Sequence, residues 1–157
     1  MRRIGSAAVV LLLAGCGVEP SGVRDGGDAP TGVAPGATLY FVDGRGALVP
    51  RQHDTGSLGT VADSLSLLLA STGEPGLHTE IADVGVTRVG VVVAGDTIEL
   101  RAPLAARDVT PRGIDQIVCT ALATHVQGGG SRDATVRIVF TVADPGADRA
   151  RTCPVIG

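Results

Sequence analysis

Apolar and polar positions change period several times along the chain, and each change marks an element. Thr38-Leu39-Tyr40-Phe41-Val42 is a short β-type run closed by the turn signal Asp43-Gly44, and it predicts a first strand over residues 38–42. After a polar stretch, Val61, Leu65, Leu68 and Leu69 recur at i, i+4, i+7 and i+8, the stripe of an amphipathic helix. Thr60 is the expected N-cap, Asp63 suits the positive end of the helix dipole, and Gly73 with Pro75 stops the pattern. The runs 89–93 and 97–101 flank Gly95-Asp96, where a leading glycine supplies the positive φ of a tight hairpin turn. In the second run Ile98 and Leu100 point one way and Thr97, Glu99 and Arg101 the other. Thr110-Pro111 opens a second helix, with proline at the first helical position where its missing N–H costs nothing. Ile114, Ile117, Val118, Ala121 and Leu122 form its stripe, which ends before Gly128-Gly129-Gly130. Val136, Ile138 and Phe140 alternate with Thr135, Arg137 and Val139 in a last strand.

The order β-α-β-β-α-β is best satisfied by an α+β two-layer sandwich. One four-stranded sheet carries both helices on one face, the split βαβ or ferredoxin-like arrangement. The order in which the strands pair stays open. Only three aromatics, Tyr40, Phe41 and Phe140, are available, so the core must be built from Val, Leu and Ile.

Residues 1–15 do not belong to that domain. Arg2 and Arg3 precede an apolar stretch from Ile4 to Leu13, which is shorter than the roughly 20 residues of a spanning helix and has the layout of an export signal. Its ending, Leu13-Ala14-Gly15-Cys16, resembles a bacterial lipobox, whose cysteine is diacylated and becomes the new N-terminus. Cys16 is therefore the expected lipidation site, and two acyl chains are what holds a protein stably at a bilayer. From Gly17 to Gly36 nine of twenty residues are Gly or Pro and no apolar period runs through them. Residues 16–37 thus read as a lipidated cysteine on a flexible linker with a reach of about 25 Å, and residues 38–157 as the folded domain.

Charge and cysteine content sharpen this location. All thirteen basic residues are Arg, and without residues 1–15 eleven stand against sixteen acids, a charge of −5 in place of −3. An acidic chain without aromatic platforms excludes nucleic acid as a partner. With Cys16 given to lipid, Cys119 and Cys153 remain as an even pair in an oxidising compartment, and they are expected to form a disulfide. Cys119 falls toward the flank of the second helix's stripe, where a C-terminal tail leaving through Asp144-Pro145-Gly146 reaches it.

Several segments taken together resemble the GerMN (sporulation and germination) domain. They are Leu39-Tyr40-Phe41-Val42-Asp43-Gly44, Leu48-Val49-Pro50-Arg51, Leu67-Leu68-Leu69, the stretch Gly73-Glu74-Pro75-Gly76-Leu77-His78-Thr79-Glu80-Ile81, the valine hairpin, and Gln116-Ile117-Val118-Cys119-Thr120. They follow one another in the family's order through nearly the whole folded part. The resemblance implies an extracytoplasmic, often lipid-anchored module, related to ring-building domains that pack against other protein subunits. Arginine as the sole basic residue in a Val-, Ala- and Gly-rich chain is similar to actinobacterial usage.

No constellation of residues points to catalysis. His53, His78 and His125 lack metal-ligand spacing. Gly56-Ser57-Leu58-Gly59 is not a nucleophile elbow, and Gly128-Gly129-Gly130-Ser131 leads into a strand rather than a phosphate-binding helix. Cys119 and His125 are six apart on one helix and point to different sides. Asp43, Asp63, Asp83 and Asp115 form no carboxylate pair. The expectation is a non-enzymatic envelope protein without metal or cofactor, anchored by lipid to the extracytoplasmic face of the cell membrane, docking a protein partner by a sheet face or edge. The alternative is an extracytoplasmic small-ligand binder or weak hydrolase with its site near Asp43, Arg45 and Arg51.

Overall fold

The first strand departs furthest from the expected architecture. In the computed structural model, which describes residues 36–142, 146–147 and 149–156, it runs as β1 (Gly36–Asp43) and pairs antiparallel with β2 (Leu48–Asp54). The Asp43 carboxylate closes the turn between them by accepting from the N–H of Arg45 at 2.9 Å and of Ala47 at 2.8 Å. β2 has no alternating pattern to announce it, and Pro50 in its middle argues against a central strand. The register removes the difficulty. Pro50 lies opposite Tyr40, whose own N–H and C=O point away from β2 and are taken by helix side chains, so no ladder bond needs a donor at Pro50.

The helix α1 (Val61–Ala70) begins as the sequence predicts. Thr60 caps it in a capping box with Asp63, and Leu65 and Leu68 are buried while Val61 and Leu69 are half-buried. Two short strands follow, β3 (Gly73–Glu74) and β4 (Leu77–His78), and β4 pairs with the end of β1 at Val42 and Asp43. The first sheet therefore has the order β2-β1-β4-β3.

The valine hairpin forms β5 (Gly90–Ala94) and β6 (Thr97–Ala102), with Gly95 at φ 56° between them. A 3-10 turn at Ala106–Asp108 leads to α2 (Pro111–Gln127), capped by Thr110 with Pro111 at its first turn. The chain then returns as β7 (Thr135–Phe140), parallel to β6, and β8 (Gly146–Ala147) pairs with the end of β7. This second sheet has the order β5-β6-β7-β8. Its inner face is the apolar layer the alternation foretold: Ile98, Leu100, Ala102, Val136, Ile138 and Phe140 are all buried.

Among the described residues the architecture is thus mixed α+β with two helices and two sheets, where one four-stranded sheet was expected. The reason lies at the free edge of β1. Tyr40 N–H donates to Thr120 Oγ1 at 3.1 Å and Tyr40 C=O accepts from Gln116 Nε2 at 3.0 Å. With β2 on one side and these two α2 side chains on the other, β1 has no edge left to join β5–β7. Nor do the helices sit on one face of one sheet: α1 packs against β1 and β5, α2 against β1 and β7, and the helices against each other.

Burial of α2 follows from that position. Apart from Ile114 and Asp115, it is buried from Gly113 to Thr124, including the polar Gln116, Thr120 and Thr124. Each polar group has a partner: Gln116 Oε1 accepts from Glu80 N–H at 2.8 Å, and the Thr124 and Ser64 hydroxyls bond between the helices at 2.8 Å. Gly113 is required by contact, because a Cβ there would lie 2.4 Å from the Glu80 carbonyl oxygen. Cys119 is fully buried rather than at a flank, since neighbours surround most of the helix.

Candidate interaction edge

The clearest unoccupied feature of the described residues is the outer edge of β5. A two-residue turn makes Ala94 and Thr97 a hydrogen-bonded pair, and bonded pairs alternate along the hairpin from there. Gly90, Val92 and Ala94 therefore bond to β6, while Val91 and Val93 turn their N–H and C=O outward. The strand Gly90-Val91-Val92-Val93-Ala94 contains no charge and no proline, and its register with β6 is continuous, so no bulge turns it aside. Val92 is 55% exposed and Val93 49%. Natural sheets protect such edges with charges, proline, bulges or a covering segment. Among the described residues β5 has none of these.

The surroundings give this edge two different flanks. On the outer face Val92 lies beside Glu99, which accepts from Arg101 Nε at 3.2 Å and from the Arg137 guanidinium. The Arg137 hydrogen bond first, and then Arg101, hold the Glu99 carboxyl below the usual carboxylate range. On the other side, Thr87, Arg88 and Val89 lead into β5 and face Ala62, Asp63 and Ser66 of α1 across a groove of about 430 Å³.

The edge strand of the first sheet contrasts with it. β2 carries Pro50, Arg51, His53 and Asp54, and two of these side chains are engaged: Arg51 Nε lies 3.5 Å and His53 Nε2 3.3 Å from the Glu74 carboxylate.

The other residues singled out from the sequence do not assemble into a site. Arg51 faces Leu39, four residues along β1 from Asp43, and Asp43 is occupied in its turn, where the N–H groups of Ala47 and Arg45 lower its pKa. Asp43, Arg45 and Arg51 are thus spread along the hairpin. His78 Nε2 lies 3.7 Å from Glu80, and the His125 ring lies against Gly130. No group of three His, Cys, Asp or Glu side chains among the described residues is placed to hold a metal. Asp63 belongs to the capping box, Asp83 accepts from Gly85 N–H, and Asp115 pairs with Arg112. Ser57 lies in the 55–59 loop beside an apolar groove of about 380 Å³ that reaches Leu67. Gly128 caps α2, and Gly129 follows with φ 89°.

Cys119 and Cys153 stand at disulfide distance, Cα to Cα 4.8 Å, across 34 residues. The tail reaches α2 by running back along β7, with two backbone bonds of 2.8 Å between Arg151 and Val136. Cys16 and the linker through residue 35, and Asp144-Pro145 in the tail, lie outside the described residues, whereas Gly36 and Ala37, expected in the linker, are part of β1 with Ala37 buried. Among those described, no helix is long and apolar enough to cross a membrane.

Several parts of this arrangement escaped the sequence reading, the two-residue strands β3, β4 and β8 among them. β2 shows no period, and the polar partners Gln116 and Thr120 stand among apolar neighbours on α2. The β5 edge did leave a trace: three consecutive valines without alternation, in a hairpin whose other strand alternates. No protein-family model, no curated protein and no solved structure matches the chain.

Proposed function

We propose that the chain is a lipid-anchored, extracytoplasmic protein-interaction module of GerMN type, without catalytic activity of its own. The observation that carries this reading is the aliphatic edge of β5, left open among the described residues while β2 is blunted by Pro50 and its charges and β7 is paired by the tail. The remaining support comes from the sequence and the cysteines. Leu13-Ala14-Gly15-Cys16 ends an export-type segment, a Gly/Pro-rich linker follows, and a buried cysteine pair at bonding distance suits an oxidising compartment. The run β5-β6-α2-β7 keeps the β-β-α-β element order of the expected domain's second half, although β6 and β7 pair directly in parallel with no strand between them. Within this reading the partner is a protein of the cell envelope, and the anchor is the diacylated Cys16.

The anchor is tested by metabolic labelling with palmitate and fractionation of cells expressing the full chain or Cys16→Ser. Label in the membrane fraction that Cys16→Ser loses, together with release of the variant from the membrane, is the expected result. An unlabelled chain that stays with the membrane whether or not Cys16 is present overturns the lipoprotein reading.

A further inference from the structure

We infer that β5 is a strand-addition site: an extended segment of a partner protein pairs with its outer edge and sends alternate side chains into the groove beside α1. The inference rests on the interaction-module reading and names the surface and the chemistry of what it takes.

Four main-chain groups define the site. The outward N–H and C=O of Val91 and Val93 match an incoming strand, which supplies its own donors and acceptors whatever its side chains. Val91 and Val93 lie on the inner side of the sheet with Leu100 and Ile98, and Val92 on the outer side with Glu99. A strand laid beside β5 inherits this alternation. Its inward side chains continue toward the groove between Ala62, Asp63 and Ser66 of α1 and Thr87, Arg88 and Val89. Aliphatic side chains match Val91 and Val93 on that side, and small ones fit the groove, whose lining Asp63, Ser66, Thr87 and Arg88 make largely polar. The partner segment is therefore a run of about five residues, apolar at every second position, without proline where its N–H meets Val91 or Val93.

Size decides against a second copy of this chain as the occupant. Two folded proteins bury about 1,200–2,000 Å² in a stable contact. The five-residue edge is about 17 Å long, and Glu99, Arg101 and Arg137 stand beside it on the outer face. An extended segment has no such requirement, because main-chain bonds and a few seated side chains provide its affinity.

The test places a photo-crosslinking residue at Val92 in the full-length chain in its host cells, with parallel probes at Gln52 on β2 and Leu67 on α1. The expected result is an adduct from position 92 whose partner peptide, mapped by mass spectrometry, has the alternating character described. Val93→Pro removes one outward N–H and no β6 bond, so it lowers the yield about tenfold while the melting temperature stays within about 3 °C. Thr87→Arg, exposed and outside the strand, narrows the groove without touching main-chain pairing and lowers the yield severalfold. An adduct of two copies of this chain overturns the choice of occupant. Yields indifferent to both substitutions overturn strand addition. Adducts from Gln52 or Leu67 alone overturn the site and leave the interaction-module reading standing, whereas no adduct from any position overturns that reading as well.

Discussion

The two edges of the second sheet are built in opposite ways. On the β7 side the chain turns back on itself, with β8 pairing at Val139 and Phe140 and Arg151 bridging to Val136, and two residues later Cys153 meets Cys119 on α2. On the β5 side the valines end the sheet with nothing beyond them among the described residues. An edge strand is costly to leave open, and the fold covers one edge with chain that it then pins to the core. The difference teaches that protection here is local and assigned edge by edge. β1 is covered by Gln116 and Thr120, β2 is blunted by Pro50 and its charges, and β7 is covered by the tail.

Cutting the pin makes the two edges alike, and it carries the largest expected effect. Cys153→Ser opens a loop of 34 residues, whose closure contributes roughly 4 kcal/mol in the chain-entropy model. For a domain of this size the melting temperature should fall by about 15 °C, read by calorimetry. The freed tail should also leave β7 open, so that the variant self-associates at concentrations where the parent does not. A fall under about 3 °C with unchanged association breaks the claim that the bridge holds the cover in place.

Side chains that cover an edge should matter nearly as much as chain that covers one. Gln116→Leu leaves the buried Tyr40 C=O and the half-buried Glu80 N–H without their partner, a loss of about 3 kcal/mol at 1–3 kcal/mol per group. Thr120→Val deprives only Tyr40 N–H and should cost about half as much. Urea unfolding of both variants checks the ratio. Equal, small losses for both mean that water reaches the β1 edge and that the helix does not stand in for a strand.

Proline substitutions then divide the open edge residue by residue. Val92→Pro removes an N–H that bonds to β6 and should cost about 2 kcal/mol. Val93→Pro removes one that faces outward, and its cost should stay under about 1 kcal/mol, as Pro50 is tolerated opposite Tyr40. Hydrogen exchange on the parent makes the same point without mutation: the amide of Val92 is protected, and those of Val91 and Val93 exchange fast. Protection at all three positions reverses the assigned pairing.

What could be read from the sequence tracks how local each signal is. Both helices, their Thr60 and Thr110 caps, the Gly95-Asp96 hairpin and the last strand rest on period and capping chemistry within one segment, and all are found in place. The division into two sheets was illegible because it depends on Tyr40 meeting Gln116 and Thr120 some 76 to 80 residues away. A strand's period tells which residues face the core, not which edge another element will occupy. The cysteine pair was legible from counting. The exposure of β5 was not, because a run of valines reads equally well as a buried strand until its neighbours are known.

Glu99 provides the smallest and finest probe of the open edge, because the charges beside β5 stand one strand in from it. Its pKa is lowered by Arg137 and Arg101, so it binds fewer protons in the folded chain than in the unfolded one between its depressed value and the ordinary carboxylate range. The contribution is therefore complete above about pH 4.3, the usual Glu value, and is lost as the pH falls through the lower folded pKa. Glu99→Gln should shift the denaturation midpoint slightly downward at pH 7, with the gap to the parent closing toward pH 2 and narrowing in high salt, since all three groups are in reach of water. The same variant leaves Arg101 and Arg137 as an unbalanced positive pair beside Val92, so pairing of a neutral or basic segment at β5 should weaken more than pairing of an acidic one. An unfolding gap that is constant from pH 7 to pH 2 would mean that the pair of guanidiniums does not act on Glu99 in solution, and that the charges beside β5 have no part in what the edge accepts.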